Sequence, residues 1–386
     1  MIHRSFIHAI TPGDHFSPST GSAVPTVVDG IARAATLNGV PRHRVLIARG
    51  TYDDLYDSAD AVYYPAQPPP SRTDHLRDLV HGRMLGSRPH LLRAFGPMVA
   101  DQSQWQDSIV LLHNLPGLAP LIDPRHRAVL YAHNQLFRMY GGREARKTLA
   151  SLTAIVAVSD HLAHELATRL PRSIADRIVV VRNGVDCEQF PARKPRTVDV
   201  DEEHPLRLLF VGRMVPDKGA HVLLDALAEL GNVPVTCTIV GSQGFDASAA
   251  PSAYERQLRT SAAATGRDVT FRPFVDRHRL PALIRESDVL VVPSAWSEPS
   301  TLTVGEGMAS GLAVIASRIG GIPEVAGDGA IIVAPNDPSA LAQAIGELAA
   351  DRSLLERWGR RGRQRASTHS WAKTWADLNE ALAPLV

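Results

Sequence analysis

Residues 187–205 read CEQFPARKPRTVDVDEEHP, from Cys187 to Pro205, and the chain is patterned alike on both sides of them. The stretch has three prolines and eight charged residues, with few apolar side chains to bury, so it reads as a linker. After it, apolar runs alternate with helical stretches: strand Leu206–Val211, helix Gly219–Leu230, strand Val235–Val240, helix Ala253–Ala263 and strand Val269–Val275. Helix Arg279–Glu286, strand Val289–Pro293, a helix from about Ser300, and strands Ala313–Ala316 and Ala330–Val333 follow, with helical stretches Ser339–Ala350 and Leu354–Leu382 closing the chain. Before the linker, strands are expected at Ser5–Thr11, His43–Arg49, Ser108–His113, Arg127–His133, Ala154–Ser159 and Arg177–Val181, with helices such as Val27–Leu37 and Asp160–Arg169 between them. Residues 51–73, which include Pro68-Pro69-Pro70, read as an irregular excursion. This alternation predicts two doubly wound α/β domains, 1–190 and 191–370. Ligands of such sheets bind at the carboxyl ends of the strands, so two facing rims would enclose a cleft.

At 386 residues the chain exceeds one ordinary core, given about 150 residues per domain. It is 44% hydrophobic and 21% charged, the composition of a folded globular protein. Lys plus Arg number 41 against 40 Asp plus Glu, which argues against a nucleic-acid partner held by bulk charge. Cys187 and Cys237 lack ligand spacing; they exclude a disulfide framework or a cysteine zinc site and fit a reducing compartment. The opening MIHRSFIHAITPGDH has too short an apolar run for a leader, and no run approaches the ~20 residues of a membrane span, so a cytoplasmic protein is expected. Arg72, Arg77, Arg83, Arg88 and Arg93, set against Asp74 and Asp78, could touch anionic lipid at the inner membrane face or a phosphorylated acceptor. Their spacing does not keep one helical face, which favours a solvated helix pair. Asp199-Val200-Asp201 resembles a metal-binding Asp-x-Asp but lies in the linker, where it reads as a solvated charge run, and no metal is expected.

The chemistry concentrates in Val289–Gly311, VLVVPSAWSEPSTLTVGEGMASG. A buried strand ends at Pro293-Ser294, a short loop carries Glu298, and the next helix carries Glu306. Unpaired amides at that helix start suit an anion, and the two carboxylates can accept hydrogen bonds from sugar or ribose hydroxyls. From spacing alone, a helix-terminal charge and a solvated helix position read equally well. Gly212-Arg213 and Asp217-Lys218-Gly219 follow another strand end; the two cations could clamp a diphosphate, or decorate a βα turn in water.

Gly212-Arg213, Lys218-Gly219, Pro293-Ser294, Glu298, Glu306 and Gly320-Gly321-Ile322-Pro323-Glu324, in this order, resemble the retaining family-4 glycosyltransferases of GT-B architecture. Asn183-Gly184-Val185-Asp186 with Phe190, and His113 and His133 at strand ends, are similar to further signatures of that family. The resemblance implies an α/β GT-B fold, two Rossmann-like doubly wound domains facing an interdomain cleft, with residues 371–386 packing back on the first. It implies a donor such as a UDP- or GDP-sugar, no other cofactor, and transfer with retention to an acceptor hydroxyl. Arg213 and Lys218 would bind the diphosphate, Glu298 the sugar hydroxyls and Glu306 the ribose. His133 would lie by the sugar, and Gly212, Ser300, Thr301 and Leu302 would complete the donor site. The leaving phosphate itself would deprotonate the acceptor, a glycan, a lipid-linked glycan or a small metabolite held by the first domain.

Two departures stand out. Pro299-Ser300-Thr301 replaces the family's Gly-rich continuation, which bears on the donor sugar. Thr20-Gly21-Ser22 replaces its amino-terminal double glycine; Gly21 there either lets the loop approach the diphosphate or marks a Ser/Gly turn with no ligand. His15 in the same loop reads as a surface histidine, and Trp371 and Trp375 as packing residues. A nucleotide-sugar epimerase and a non-catalytic nucleotide-sugar-binding paralogue are the alternatives.

Overall fold

The computed structural model of the chain describes residues 5–50 and 52–385; expectations that touch residues 1–4, Thr51 and Val386 lie outside them there. The chain forms two units, residues 1–183 with 371–386, and residues 184–370. The first contains β1 (Ser5–Ala9), β2 (His43–Ala48), β3 (Ala59–Tyr64), β4 (Ser108–His113), β5 (Arg127–Ala132), β6 (Leu152–Ala157) and β7 (Ile178–Val180). Its helices are α1 (Ala23–Leu37), α2 (Arg72–Leu85), α3 (Pro89–Phe95), α4 (Gly142–Thr148), α5 (Asp160–Ala167) and α6 (Arg172–Ala175). The second contains β8 (Leu206–Val211), β9 (Val235–Val240), β10 (Asp268–Arg272), β11 (Val289–Val292), β12 (Ala313–Ser317) and β13 (Ile331–Val333). Around them lie α7 (Ala220–Glu229), α8 (Ala253–Ala264), α9 (Leu280–Arg285), α10 (Leu302–Ala309), α11 (Ile322–Ala326), α12 (Pro338–Ala350) and α13 (Arg352–Ser367); α14 (Trp371–Leu382) returns to the first unit.

Both sheets are parallel and run in the same sense from their centres. The orders are β3-β2-β1-β4-β5-β6-β7 and β10-β9-β8-β11-β12-β13. Each reverses direction once, between β1 and β4 and between β8 and β11, and open α/β sheets bind ligands at this switch point. The strands are nearly continuous apolar runs because helices cover both faces. Alternation then divides each strand between two cores. Leu206, Leu208, Phe210, Val289, Val291 and Ile315 pack with α7 and α12, whereas Leu209, Leu290, Val292 and Val314 pack with α9 and α10.

Three expectations need correcting. Residues 51–73 contain a full strand, β3, on the edge of the first sheet and paired only with β2. Its half-wet sequence, Ala-Asp-Ala-Val-Tyr-Tyr, hid it among prolines. The helical stretch Leu354–Leu382 is interrupted at residues 368–370, where Ser370 forms a parallel bridge with Val185. The linker, finally, is bound rather than free. The boundary lies between residues 183 and 184, not at 190/191, because Phe190 is in the second core and two arginines after it, Arg193 and Arg196, are neutralised there. Arg193 and Arg196 reach the fully buried Asp288, Arg207 grips the same carboxylate, and Arg193 also meets Glu356. Burial would raise the Asp288 carboxyl, but the bonds from Arg207 and the charge of Arg196 hold it below the usual carboxylate range.

Helix α14 docks on α1 and fills the first unit's core: Trp375 is buried, with its ring 5.2 Å from Phe6 and 5.5 Å from His43. Trp371 lies against Gly30 of α1, where any side chain would strike the indole. Replacing Trp375 by Ala is expected to cost about 3–5 kcal/mol of stability, as large-to-small core changes do. Urea unfolding of the full chain measures this, and a loss under about 1 kcal/mol would show that the helix does not complete the core.

Candidate active site

In the second unit the polar residues gather at the β8/β11 switch point. Beyond β8, Gly212 and Arg213 lead through a single turn at Pro216–Lys218 to α7. Gly219 takes φ +74°, and a Cβ there would lie 1.8 Å from the Pro293 carbonyl oxygen, so this loop can lie against the end of β11 only with glycine. The Ala295 amide, donating to the Asp217 carbonyl at 2.9 Å, fixes the contact. Lys218 thereby reaches Glu298: Nζ donates to Oε1 at 2.5 Å, and the Ser294 hydroxyl approaches the same oxygen at 3.4 Å.

From the other side the Gly320-Gly321 turn after β12 holds the Glu298 loop. The Gly321 amide donates to the Glu298 carbonyl at 2.7 Å; Gly320, at φ +59°, lies so close that a Cβ would sit 2.1 Å from that oxygen. Glu298 is buried, four positions before α10 rather than within its first turn. The helix starts at Leu302, not at Ser300, and its N-cap Thr301 makes no side-chain cap bond, so its own hydroxyl does not occupy a helix-start amide. Glu306, buried on α10, is ion-paired with Arg277 at 2.5 Å, and that guanidinium lies 5.6 Å from the Phe190 ring. Arg213 is exposed and, among the described residues, has no ion-pair partner. The switch point thus joins Lys218, Glu298 and Ser294, with Glu306 on the following helix. Nothing in the sequence marks Arg277, because it sits in a basic run, Arg277-His278-Arg279, that looks like any solvated turn.

In the first unit the corresponding switch point is lined with histidine. His133 follows β5 and His113 ends β4; His113 Nδ1 lies 2.8 Å from His133 Nε2, and His113 Nε2 lies 2.9 Å from His8 Nδ1 on β1. His8 Nε2 in turn lies 2.9 Å from His43 Nδ1 on β2. Asn114, at φ +56°, accepts the His133 amide on its side-chain oxygen at 2.8 Å. His8, His43 and Asn114 were missed, although the repeated dipeptides His113-Asn114 and His133-Asn134 were a visible signal. Gly21 is exposed and does not take a positive φ, so its conformation does not demand glycine. Its loop is tied to Asp14, which accepts from the hydroxyls of Thr11 and Ser22. His15 is half-buried rather than on the surface, packed edge-on against Tyr52 with a buried, unpartnered Nδ1.

Helix α2 is turned inside out. Asp78 faces inward and accepts the backbone amides of His90 and Leu91, and Gly82 packs against Glu144. Leu76, Val80 and Met84, one turn apart, point outward at 64%, 53% and 64% exposure. At 100° per residue, Arg72 and Arg83 border this stripe on one side and Arg77 on the other. The solvated helix pair expected here is therefore an apolar stripe edged by arginine, while Arg88 is structural, paired with Glu144 and stacked over Tyr140. Asp199 and Asp201 of the Asp-x-Asp pair with Arg352 and His204.

Two open parallel sheets in this order, each with its polar residues at the strand ends, define the GT-B architecture. Residues 24–189 match the family model described as Glycosyltransferase Family 4, and residues 196–365 the one described as Glycosyl transferases group 1. The chain belongs to the family-4 glycosyltransferases and is a glycosyltransferase. Spore coat protein SA of Bacillus subtilis (strain 168) is 31% identical over 290 residues, 70% of this chain and 76% of that protein. Glycogen synthase of Mycobacterium tuberculosis (strain ATCC 25618 / H37Rv) is 30% identical over 222 residues, 56% of this chain and 50% of that enzyme. HepE of Anabaena, solved in complex with UDP and glucose, shares the fold at a TM-score of 0.71 and 17% identity, covering 99% of this chain and 100% of that one.

Burial lowers His43 to about 4 and His133 to about 3, and it drives His8 and His113 well below the usual histidine range. A native state with these rings neutral binds fewer protons than the unfolded chain below about pH 6.5. Stability is therefore expected to fall as pH drops from about 6.5 towards 4, by up to about 1.4 kcal/mol per pH unit for each proton withheld. Urea unfolding at pH 7.5, 5.5 and 4.5 tests this, and a flat profile would contradict it.

Proposed function

We propose that the protein is a retaining, metal-independent glycosyltransferase that moves a hexosyl group from a nucleoside-diphosphate sugar to an acceptor hydroxyl. The observation that carries this reading is the Lys218–Glu298 pair at the switch point of the second unit. Glycosyl transfer leaves negative charge growing on a diphosphate while the sugar becomes oxocarbenium-like. The exposed Arg213 guanidinium, the Lys218 ammonium and the helix-start amides around Thr301 and Leu302 supply fixed positive charge for that oxygen array. Glu298 loses its lysine partner to the phosphate and accepts from sugar hydroxyls. Glu306, oriented by Arg277, takes the ribose diol. Gly212, Gly21 and Ser300 line the approach of the donor, and His133 contacts its sugar. No carboxylate serves as nucleophile in this scheme; the departing phosphate oxygen removes the acceptor proton on the face it leaves, which preserves the anomeric configuration. HepE binds UDP and glucose, so UDP-sugars are the first donors to test, GDP-sugars the second.

Arg213→Ala and Lys218→Ala are each expected to lower turnover about 10²-fold with the fold intact. Glu306→Ala should weaken nucleoside-diphosphate binding by calorimetry, and NMR of the product should show the donor's anomeric configuration even with chelator present. Near-normal rates in both cation variants, or an inverted product, would overturn the assignment.

The outward stripe of α2 supports an acceptor presented at a membrane. Leu76, Val80 and Met84 would enter the headgroup boundary while Arg72, Arg77 and Arg83 meet anionic lipid, a peripheral contact at the inner membrane face. The full chain should sediment with phosphatidylglycerol vesicles and not with phosphatidylcholine vesicles. Changing the three apolar residues to Ser should cut binding about tenfold or more; equal binding by that variant would remove the stripe from the contact.

A further inference from the structure

The four histidines of the first unit form one hydrogen-bonded row across four adjacent strands, β2-β1-β4-β5. Successive ring centroids are 5.1 Å apart at every step, close to the spacing of strands in a sheet. Aromatic rings sheathe the row: Tyr131 stacks on His113 and His133, and Phe6 stacks on His43. His8, His43 and His113 are fully buried, and His133 is 9% exposed. All but two ring nitrogens are used within the row. One of the two, His43 Nε2, is buried without a partner; the other is His133 Nδ1, at the end that solvent reaches.

Proton counting leaves two arrangements. A neutral imidazole carries one N–H, and each N–H···N bond needs one proton between its two rings. Three such bonds use three of the four protons, so the rings are all Nδ1–H or all Nε2–H, and the fourth proton sits at one end. The all-Nε2–H arrangement leaves an N–H of His43 buried with no acceptor, the rarer kind of buried defect. The all-Nδ1–H arrangement leaves only a lone pair there, and it turns the His133 N–H outward. A cationic ring anywhere in the row would donate from both of its nitrogens and would put an N–H on His43 Nε2 as well, the same buried defect.

We propose that this row fixes His133 as the Nδ1–H tautomer, so that it acts as a hydrogen-bond donor to an oxygen of the donor sugar, with His113, His8 and His43 as positioning residues. The sugar contact rests on the function proposed above; the tautomer does not. Direction runs inward to outward: His43 donates to His8, His8 to His113, and His113 to His133. Exchanging one arrangement for the other requires all three bridging protons to shift together, which makes the setting of His133 a property of the whole row.

Nitrogen-15 NMR of the full chain, labelled at histidine and held at pH 7.5, reads the tautomers and the scalar couplings across N–H···N bonds. All four rings are expected as Nδ1–H with three couplings. Any of the four found as Nε2–H or as a cation would overturn the proposal without recourse to a variant. His113→Phe removes the donor to His133 Nε2, and His113→Asn retains an amide donor near the same place. Both tautomers of His133 are expected in the Phe variant, with kcat down about tenfold, the worth of one hydrogen bond; the Asn variant should keep the Nδ1–H signature and most of the rate. His133 remaining wholly Nδ1–H in His113→Phe would show that the row does not hold it. Should the tautomers be as expected while His133→Leu transfers sugar at the wild-type rate, the sugar contact fails and the row stands.

Discussion

The ion pair between Lys218 and Glu298 closes the gap between two loops that leave adjacent strands, β8 and β11, in opposite directions. Neither side chain could be placed without the backbone beneath it. Glycine at 219 lets one loop press on the Pro293 carbonyl, and glycine at 320 lets the β12 turn press on Glu298 itself. A part-buried ammonium facing a buried carboxylate is a poor source of stability, because desolvation offsets most of the attraction. As a device for holding two opposite charges at a ligand's position it is economical. Each charge keeps the other in place, and in the function proposed above the donor would offer both of them better partners.

The same logic runs through the rest of the second unit. Two of its other buried carboxylates, Glu306 and Asp288, are matched by guanidinium groups from distant stretches of chain. Glu306, on the helix after the switch point, is paired with Arg277; Asp288, immediately before β11, gathers three arginines and anchors the segment entering the unit. A buried charge with several fixed partners is a fastener. A buried charge with a single partner is the kind that the function proposed above would re-partner.

Much of this was legible in the sequence, and for identifiable reasons. Buried parallel strands such as Leu206–Val211 and Val235–Val240 are unbroken apolar runs with sharp ends, so their limits were read to the residue. Glycine and proline marked the strand-end loops that carry Lys218 and Glu298. Edge strand β3 was lost because only one of its edges is paired and its face is half wet. The segment after residue 187 was misread because composition counts charges and cannot see their partners, which lie 92 and 163 positions away from Arg196 and Arg193. The histidine row was invisible for a related reason. Its members are spread from His8 to His133, and only strand order brings them side by side.

The return of α14 to the first unit has a bearing on how the chain is made. Trp375 seals Phe6 and one end of the histidine row, yet it emerges from the ribosome after the whole of the second unit. The second unit, continuous in sequence, can collapse while synthesis continues. The first must wait with an open core for its last helix, so its nascent form is the one that exposes apolar surface longest and the one on which a chaperone would act.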